Sequence, residues 1–128
     1  MENIKIEATK NSPEVAFDFR SNIFELSGKS YMEDANTFYN RIMENFETHL
    51  LAQNDAEVLF NLRLTYFNST TARFVFRIFS YLDETAERSN TVSIVWHFEE
   101  DDDTMEEHGE EFGEDLEHAS FEMKPIKD

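Results

Sequence analysis

Residues 56–82 contain the pattern that most limits the possible folds, because the hydrophobic period changes there within a few positions. In "AEVLFNLRLTYF", residues 56–67, apolar and polar side chains alternate as in a β-strand whose buried face carries Val58, Phe60, Leu62 and Leu64. After Phe67 the period becomes three to four, and the stripe of a helix passes through Thr71, Phe74, Val75, Ile78 and Leu82. A buried strand that leads directly into a helix is typical of α/β proteins.

The rest of the chain continues this alternation of strands and helices. Five further segments have the strand period: residues 3–9, 14–19, 23–28, 91–98 and 118–123. Two more have the helical period, residues 33–51, with Asp34 as a predicted N-cap, and residues 105–116. The order predicts a single-domain α/β sandwich over residues 1–128, with a mixed sheet and helices mainly on one face. We expect a hairpin turn at "RSN", residues 20–22, and the end of the second helix near Arg88.

The charge of the chain limits its partners. It has 28 acidic and 11 basic residues, a formal net charge of −17 and no cysteine. Because binding to nucleic acid or to anionic membranes depends on Lys and Arg, we expect neither as a partner. No apolar run of membrane-spanning length and no leader-like segment is present, so the sequence predicts a cytoplasmic protein.

Catalytic and metal-binding motifs are absent from the sequence. It has no phosphate-binding loop, dinucleotide fingerprint, zinc-protease motif or nucleophile elbow, and its four histidines are scattered, so we expect no enzyme and no cofactor. We expect a structural role for His97. Residues 99–117 are strongly acidic but lack the order of a calcium-binding loop. We predict there a helix that docks through Phe112 and Leu116 and forms a solvated cover or a partner surface, without a metal site.

Four polar residues, Asn68, Ser69, Thr70 and Thr71, lie where the buried strand passes into the helix. One of them is needed to cap the helix, since its first N–H groups have no partner within the helix. A cap uses only one oxygen, so capping does not explain why three hydroxyl residues are present here. Phosphorylation would add about −1.5 to −2 charge at a helix end that tolerates it. Spacing alone leaves both interpretations open.

Four segments together resemble one known family: "SPEVAFDF", "LSGKSYMEDANTFY", "LTYFNSTTARF" and "VSIVWHFEEDDDTMEEHGEEF". They are similar to the SiaC family of bacterial regulatory phosphoproteins, and the resemblance extends from about Ile4 to Phe121. It implies a fold similar to STAS-type anti-sigma-factor antagonists and no catalytic activity. It also implies three partners: a Ser/Thr kinase of the histidine-kinase-like ATPase type, a metal-dependent phosphatase, and a target such as a diguanylate cyclase.

The resemblance also implies which residues act. The family usually has Thr after the Asn, so Ser69 inherits the role of phosphate acceptor, with Thr70 and Thr71 as alternatives. We expect Asn68, Thr70, Arg73 and Phe76 to form the partner-binding surface, because the helical wheel places Phe76 away from the buried stripe. The alternative function is a constitutive acidic module that masks a basic partner and is never phosphorylated.

Overall fold

The computed structural model describes residues 2–127, and the elements found there follow the predicted order. The strands are β1 (Ile4–Ile6), β2 (Glu14–Asp18), β3 (Ile23–Ser30), β4 (Glu57–Phe67), β5 (Thr91–Glu99) and β6 (Ser120–Ile126). The helices are α1 (Ala35–Leu51), α2 (Ser69–Glu87) and α3 (Asp103–Glu114). Element ends differ from the prediction by a few residues: β1 is shorter than residues 3–9, and β6 begins and ends later than residues 118–123.

The six strands form one sheet in which the spatial order is the chain order. β1, β2 and β3 pair antiparallel, whereas β3, β4, β5 and β6 pair parallel, which confirms the mixed sheet and makes β4 an interior strand. The predicted turn between β2 and β3 is present, with Asn22 at φ 56°. Each pair of parallel neighbours is connected by one crossover helix. The carboxyl ends of β3, β4 and β5 therefore lie at the same edge of the sheet.

The core lies on one face of the sheet. Alternate residues of β4 are buried, as predicted, and belong to one apolar cluster with residues from all three helices. The predicted stripe of α2 is buried as well: Thr71, Phe74, Val75, Ile78 and Leu82. Burial of these large side chains removes much apolar surface from water and is the main stabilising contribution to the fold.

Aspartate side chains cap the N-termini of α1 and α3, and Asp34 is the cap that the sequence predicted for α1. Asp34 accepts hydrogen bonds from the Thr37 hydroxyl at 2.7 Å and the Thr37 backbone N–H at 3.2 Å, which lower the pKa of its carboxyl group. At α3, Asp102 accepts from the backbone N–H of Met105 at 3.1 Å. Both carboxylates satisfy N–H groups that have no partner within their helix.

Within residues 2–127, no helix is both long and apolar enough to cross a membrane.

The acidic helix α3 packs closely on β5 and β6, the two strands at one edge of the sheet. Phe112 is buried and Leu116 packs against the core, as predicted. The buried Trp96 indole donates a hydrogen bond to the Met105 carbonyl at 3.0 Å. A Cβ atom added to Gly109 would lie 2.6 Å from Trp96, so only glycine permits this approach. The helix is therefore an integral layer of the fold and not a detached acidic segment.

Candidate functional site

The site predicted from the sequence lies at the carboxyl ends of β3 and β4. Ser30 and Phe67, their last residues, are paired in register across the two parallel strands. The register shifts between Gly28 and Lys29, and Gly28 has φ 106°, a conformation that glycine adopts at little cost. Beyond this irregularity, Ser30 at the end of β3 contacts the residues that begin α2.

Asn68 is the N-cap of α2. Its backbone is extended, and its side-chain oxygen accepts a hydrogen bond from the backbone N–H of Thr71 at 3.0 Å. Its own backbone N–H donates to the carbonyl of Ser30 at 3.0 Å. Of the four residues that could cap the helix, Asn68 therefore does so, and Thr70 and Thr71 do not.

Thr71 is fully buried in a chain of hydroxyl groups. Its Oγ1 donates to the Ser30 carbonyl at 3.1 Å and lies 2.7 Å from the Ser30 hydroxyl, which lies 2.8 Å from the Tyr39 hydroxyl. Burial raises the pKa of Tyr39 to about 12, so this phenol keeps its proton throughout the physiological pH range. The Thr71 hydroxyl thus links α2 to β3 and α1, and it is not accessible from solvent in the folded protein.

Ser69 and Thr70 are the two hydroxyl residues of the cluster that the buried network leaves free. Ser69 is exposed at the first position of α2, and Thr70 is half-buried beside it. The Ser69 hydroxyl has no side-chain partner in the part of the chain that the structure describes. It therefore stands in solvent on a rigid base made by the Asn68 cap and the Thr71 anchor.

Two residues of the predicted partner surface follow on α2. Arg73 is exposed, and Phe76 is 48% exposed, which confirms that one aromatic residue of this helix stands outside the buried stripe. Phe79, three residues later on the same helix, is buried. The Phe76 ring packs against Phe112 of α3, with ring centroids 4.3 Å apart. Phe76 is thus an apolar contact point that α3 holds in place.

An aromatic pair that sequence reasoning missed lies at the carboxyl ends of β3 and β4. Tyr31 follows β3 and Tyr66 is near the end of β4, and their rings meet edge to face at 5.7 Å. Tyr66 is 53% exposed and Tyr31 is 36% exposed. The sequence shows a tyrosine near the end of each of these strands. That the two rings meet follows only from the parallel pairing of β3 with β4. Exposed aromatic side chains are common anchors of protein interfaces.

The histidines with shifted pKa values have structural partners. His97 is buried with its Nε2 2.9 Å from the side-chain oxygen of Asn61, and His49 Nε2 lies 2.6 Å from that of Asn22. Burial lowers the pKa of both imidazoles. The structural role predicted for His97 agrees with these contacts. Across residues 2–127, no group of three or more acidic or histidine side chains is arranged to hold a metal ion.

Comparison with known proteins gives a consistent result. The sequence model of the family described as "SiaC family regulatory phosphoprotein" matches residues 6–126. An uncharacterized protein of Pseudomonas aeruginosa strain UCBPP-PA14, PA14_02130, is 26% identical over 115 residues, which cover 90% of each chain. The crystal structure of apo-SiaC from Pseudomonas aeruginosa is similar with a TM-score of 0.87 and 25% identity, covering 97% of this chain and 99% of that one.

A further solved structure contains a complex. It holds the diguanylate cyclase SiaD from Pseudomonas aeruginosa together with its activator SiaC. The similarity has a TM-score of 0.85 at 24% identity and covers 94% of this chain and 98% of the other. At this identity the likeness concerns the fold alone.

Proposed function

The chain belongs to the SiaC family of regulatory phosphoproteins, and from this premise we propose that it is a non-enzymatic switch controlled by reversible phosphorylation of Ser69. The unmodified form binds and regulates a target protein, and the phosphorylated form releases it. One domain, residues 1–128, carries both the acceptor and the docking surface. The observation that carries this proposal is the exposure of Ser69 between two engaged neighbours, Asn68 and Thr71.

Three partners follow from the proposal. A Ser/Thr kinase of the histidine-kinase-like ATPase type transfers the phosphoryl group, and a metal-dependent phosphatase removes it. In the transfer, the Ser69 oxygen bonds to the γ-phosphorus of ATP, the bond to the bridging oxygen breaks, and ADP leaves. The serine proton passes to a base of the kinase. Since the donor is ATP, the switch operates in the cytoplasm.

We propose a diguanylate cyclase as the target. The support is the relative's complex, in which SiaC is the activator of such an enzyme. The docking surface surrounds Ser69 and includes Asn68, Thr70, Arg73 and Phe76, to which the exposed pair Tyr31 and Tyr66 adds two aromatic contacts. Phe76 offers the apolar anchor and Arg73 a donor for a carboxylate of the target.

Phosphorylation switches this surface off through charge. The chain already has a net charge of −17, and a phosphoryl group adds about −1.5 to −2 more at the centre of the contact. Burying such a charge against a partner without compensating cations costs several kcal/mol. A complex of micromolar affinity is stabilised by only about 8 kcal/mol in total, so this cost is sufficient to dissociate it.

The experiment is a titration of the diguanylate cyclase of the same host with three forms of the full chain. Phosphoserine is installed at position 69 by an expanded genetic code, beside the wild type and Ser69→Ala. We expect the wild type and Ser69→Ala to bind equally and the phosphorylated form at least about a hundredfold more weakly, which corresponds to about 2.7 kcal/mol. Equal binding by all three forms would favour the constitutive acidic module instead.

Phe76→Ala tests the docking surface in the same titration. Loss of the exposed ring leaves the buried stripe of α2 intact, so the fold is retained, but we expect at least a tenfold loss of affinity. Leu51→Ala is the matched control, since Leu51 is also an exposed apolar residue but lies at the far end of α1. Unchanged binding by Phe76→Ala would remove Phe76 from the surface.

A further inference from the structure

A small open cavity between α1 and α2 places two arginine side chains next to Thr70. Its volume is about 180 Å³, and it is lined by Asn36, Thr70, Arg73, Phe74 and Arg77. A single water needs only about 10–15 Å³, so the cavity has room for a tetrahedral oxyanion. Ser69, one residue earlier, does not line it.

The charge of this cavity is opposite to that of the protein as a whole. The chain has 28 carboxylates, yet the lining contains none, and its charged members are Arg73 and Arg77. Among the described residues, neither guanidinium forms an ion pair with a carboxylate. Guanidinium groups without a counter-charge favour a nearby anion. The lining of this cavity is therefore basic, although the protein as a whole is strongly acidic.

The Arg77 guanidinium is held in position before any anion arrives. It donates a hydrogen bond to the Tyr81 hydroxyl at 3.2 Å, and its central carbon lies 5.3 Å from the centre of the Phe74 ring. Phe74 is buried and so does not move away. A guanidinium fixed by an aromatic face and a hydroxyl loses less side-chain entropy when it binds a ligand.

We infer that this cavity is the receptor for a phosphoryl group on Thr70, which makes Thr70 a second modification site beside Ser69. Arg73, three residues after Thr70, lies on the same side of α2, and guanidinium groups bind phosphate oxygens through paired N–H donors. Asn36 adds an amide from α1. Phosphoryl transfer follows the same steps as at Ser69. The Thr70 oxygen bonds to the γ-phosphorus of ATP, the bond to the bridging oxygen breaks and ADP leaves, and the threonine proton passes to a base of the kinase.

Phosphorylation of Ser69 and phosphorylation of Thr70 then have different effects on the protein. This inference rests on the proposed phosphorylation switch. A phosphoryl group on Ser69 stands in solvent and opposes the partner. One on Thr70 is neutralised by Arg73 and Arg77 and joins α2 to α1. It also occupies Arg73, a residue of the proposed docking surface.

The test uses the full chain with phosphothreonine installed at position 70 and follows its phosphorus resonance by NMR during a pH titration. The second pKa of a free phosphoryl group is about 6. We expect a pKa about one unit lower in the folded protein than in the same protein unfolded in urea, because nearby cations favour the dianion. Phosphoserine at position 69 is expected to have a smaller shift. An equal or larger shift at position 69, or no shift at position 70, would overturn the inference.

Arginine variants identify the source of the shift. Arg77→Gln is expected to remove most of it, whereas Arg20→Gln, at an exposed arginine in the β2–β3 turn, is expected to leave it unchanged. Arg73→Gln serves the same purpose if Arg77→Gln does not fold, as judged by circular dichroism. A shift that survives loss of either guanidinium would refute the receptor. None of these measurements uses the kinase. If the Thr70 receptor is refuted, the proposed switch at Ser69 is therefore unaffected.

Discussion

The Thr71 hydroxyl donates a hydrogen bond to the Ser30 carbonyl at 3.1 Å and so joins the first turn of α2 to the end of β3. The same carbonyl accepts from the backbone N–H of Asn68 at 3.0 Å. These two bonds hold the residues on either side of Ser69 and Thr70. The exposed Ser69 hydroxyl is therefore supported on both sides by a buried polar network.

Replacing Thr71 by valine should test this support. The isosteric change removes the hydroxyl, so the Ser30 hydroxyl loses an acceptor inside the protein, and we expect a loss of about 1–3 kcal/mol in the free energy of unfolding. Urea unfolding measures it. Thr48→Val on the exposed side of α1 is the matched control and should change stability by less than about 0.5 kcal/mol. Equal stability of the two variants would show that the network contributes nothing.

The buried phenol predicts a loss of stability in alkali. Tyr39 has a pKa of about 12 in the folded protein and 10.0 as its ordinary value. Because the folded state holds this proton more tightly, the contribution is fully present below pH 10 and is lost as the pH rises toward 12. Between pH 9 and pH 11 the wild type should lose about 1 kcal/mol more than Tyr39→Phe, which has no proton to release. Parallel pH profiles of the two proteins would contradict the assignment.

The buried face of α2 can be tested with two isoleucines. Ile78 is 0% exposed and Ile23 is 46% exposed. Ile78→Ala should cost about 2–5 kcal/mol, since it leaves a cavity in the core, whereas Ile23→Ala should cost less than about 1 kcal/mol. Chemical denaturation of both variants supplies the comparison. A loss at Ile78 within about 0.5 kcal/mol would mean that this face of the helix is not core.

Replacing Gly109 by alanine has two opposite effects on the stability of the protein. In an ordinary helix, Gly→Ala stabilises by about 1 kcal/mol. Here the new Cβ would lie 2.6 Å from Trp96 and 2.7 Å from Met123, and Trp96 is fully buried, so the overpacking cost of about 1–3 kcal/mol should dominate. We expect a lower melting temperature for Gly109→Ala and almost none of this loss for Glu110→Ala. A raised melting temperature would contradict the close packing of α3.

The order of the elements was predictable from the sequence because each has a clear hydrophobic period. The stripe of α2 already included Thr71, and its burial confirms that pattern. The choice of Asn68 as the cap was one of several open alternatives, since four adjacent residues had suitable side chains. Local sequence does not decide among them, because the decision depends on which backbone conformation β3 and β4 impose at their ends.

The residues that surround the proposed site at Ser69 were not predictable in the same way. Tyr31 and Ser30 lie almost forty residues before Ser69, and only the parallel pairing of β3 with β4 brings them together. Asn36 reaches the Thr70 cavity through the packing of α1 on α2. Periodicity predicts which face of a helix is buried, but it does not predict which helix covers it. The composition of the site therefore required the tertiary structure.

The most direct test of the central claim is the mass and phosphate position of this protein when it is purified from its native host. Intact mass should show a species 80 Da heavier, since one phosphoryl group has been added. Fragmentation should place a phosphate on Ser69, and a chromosomal Ser69→Ala strain should lack it. Only unmodified protein under every growth condition, or phosphate that never includes Ser69, would contradict the account.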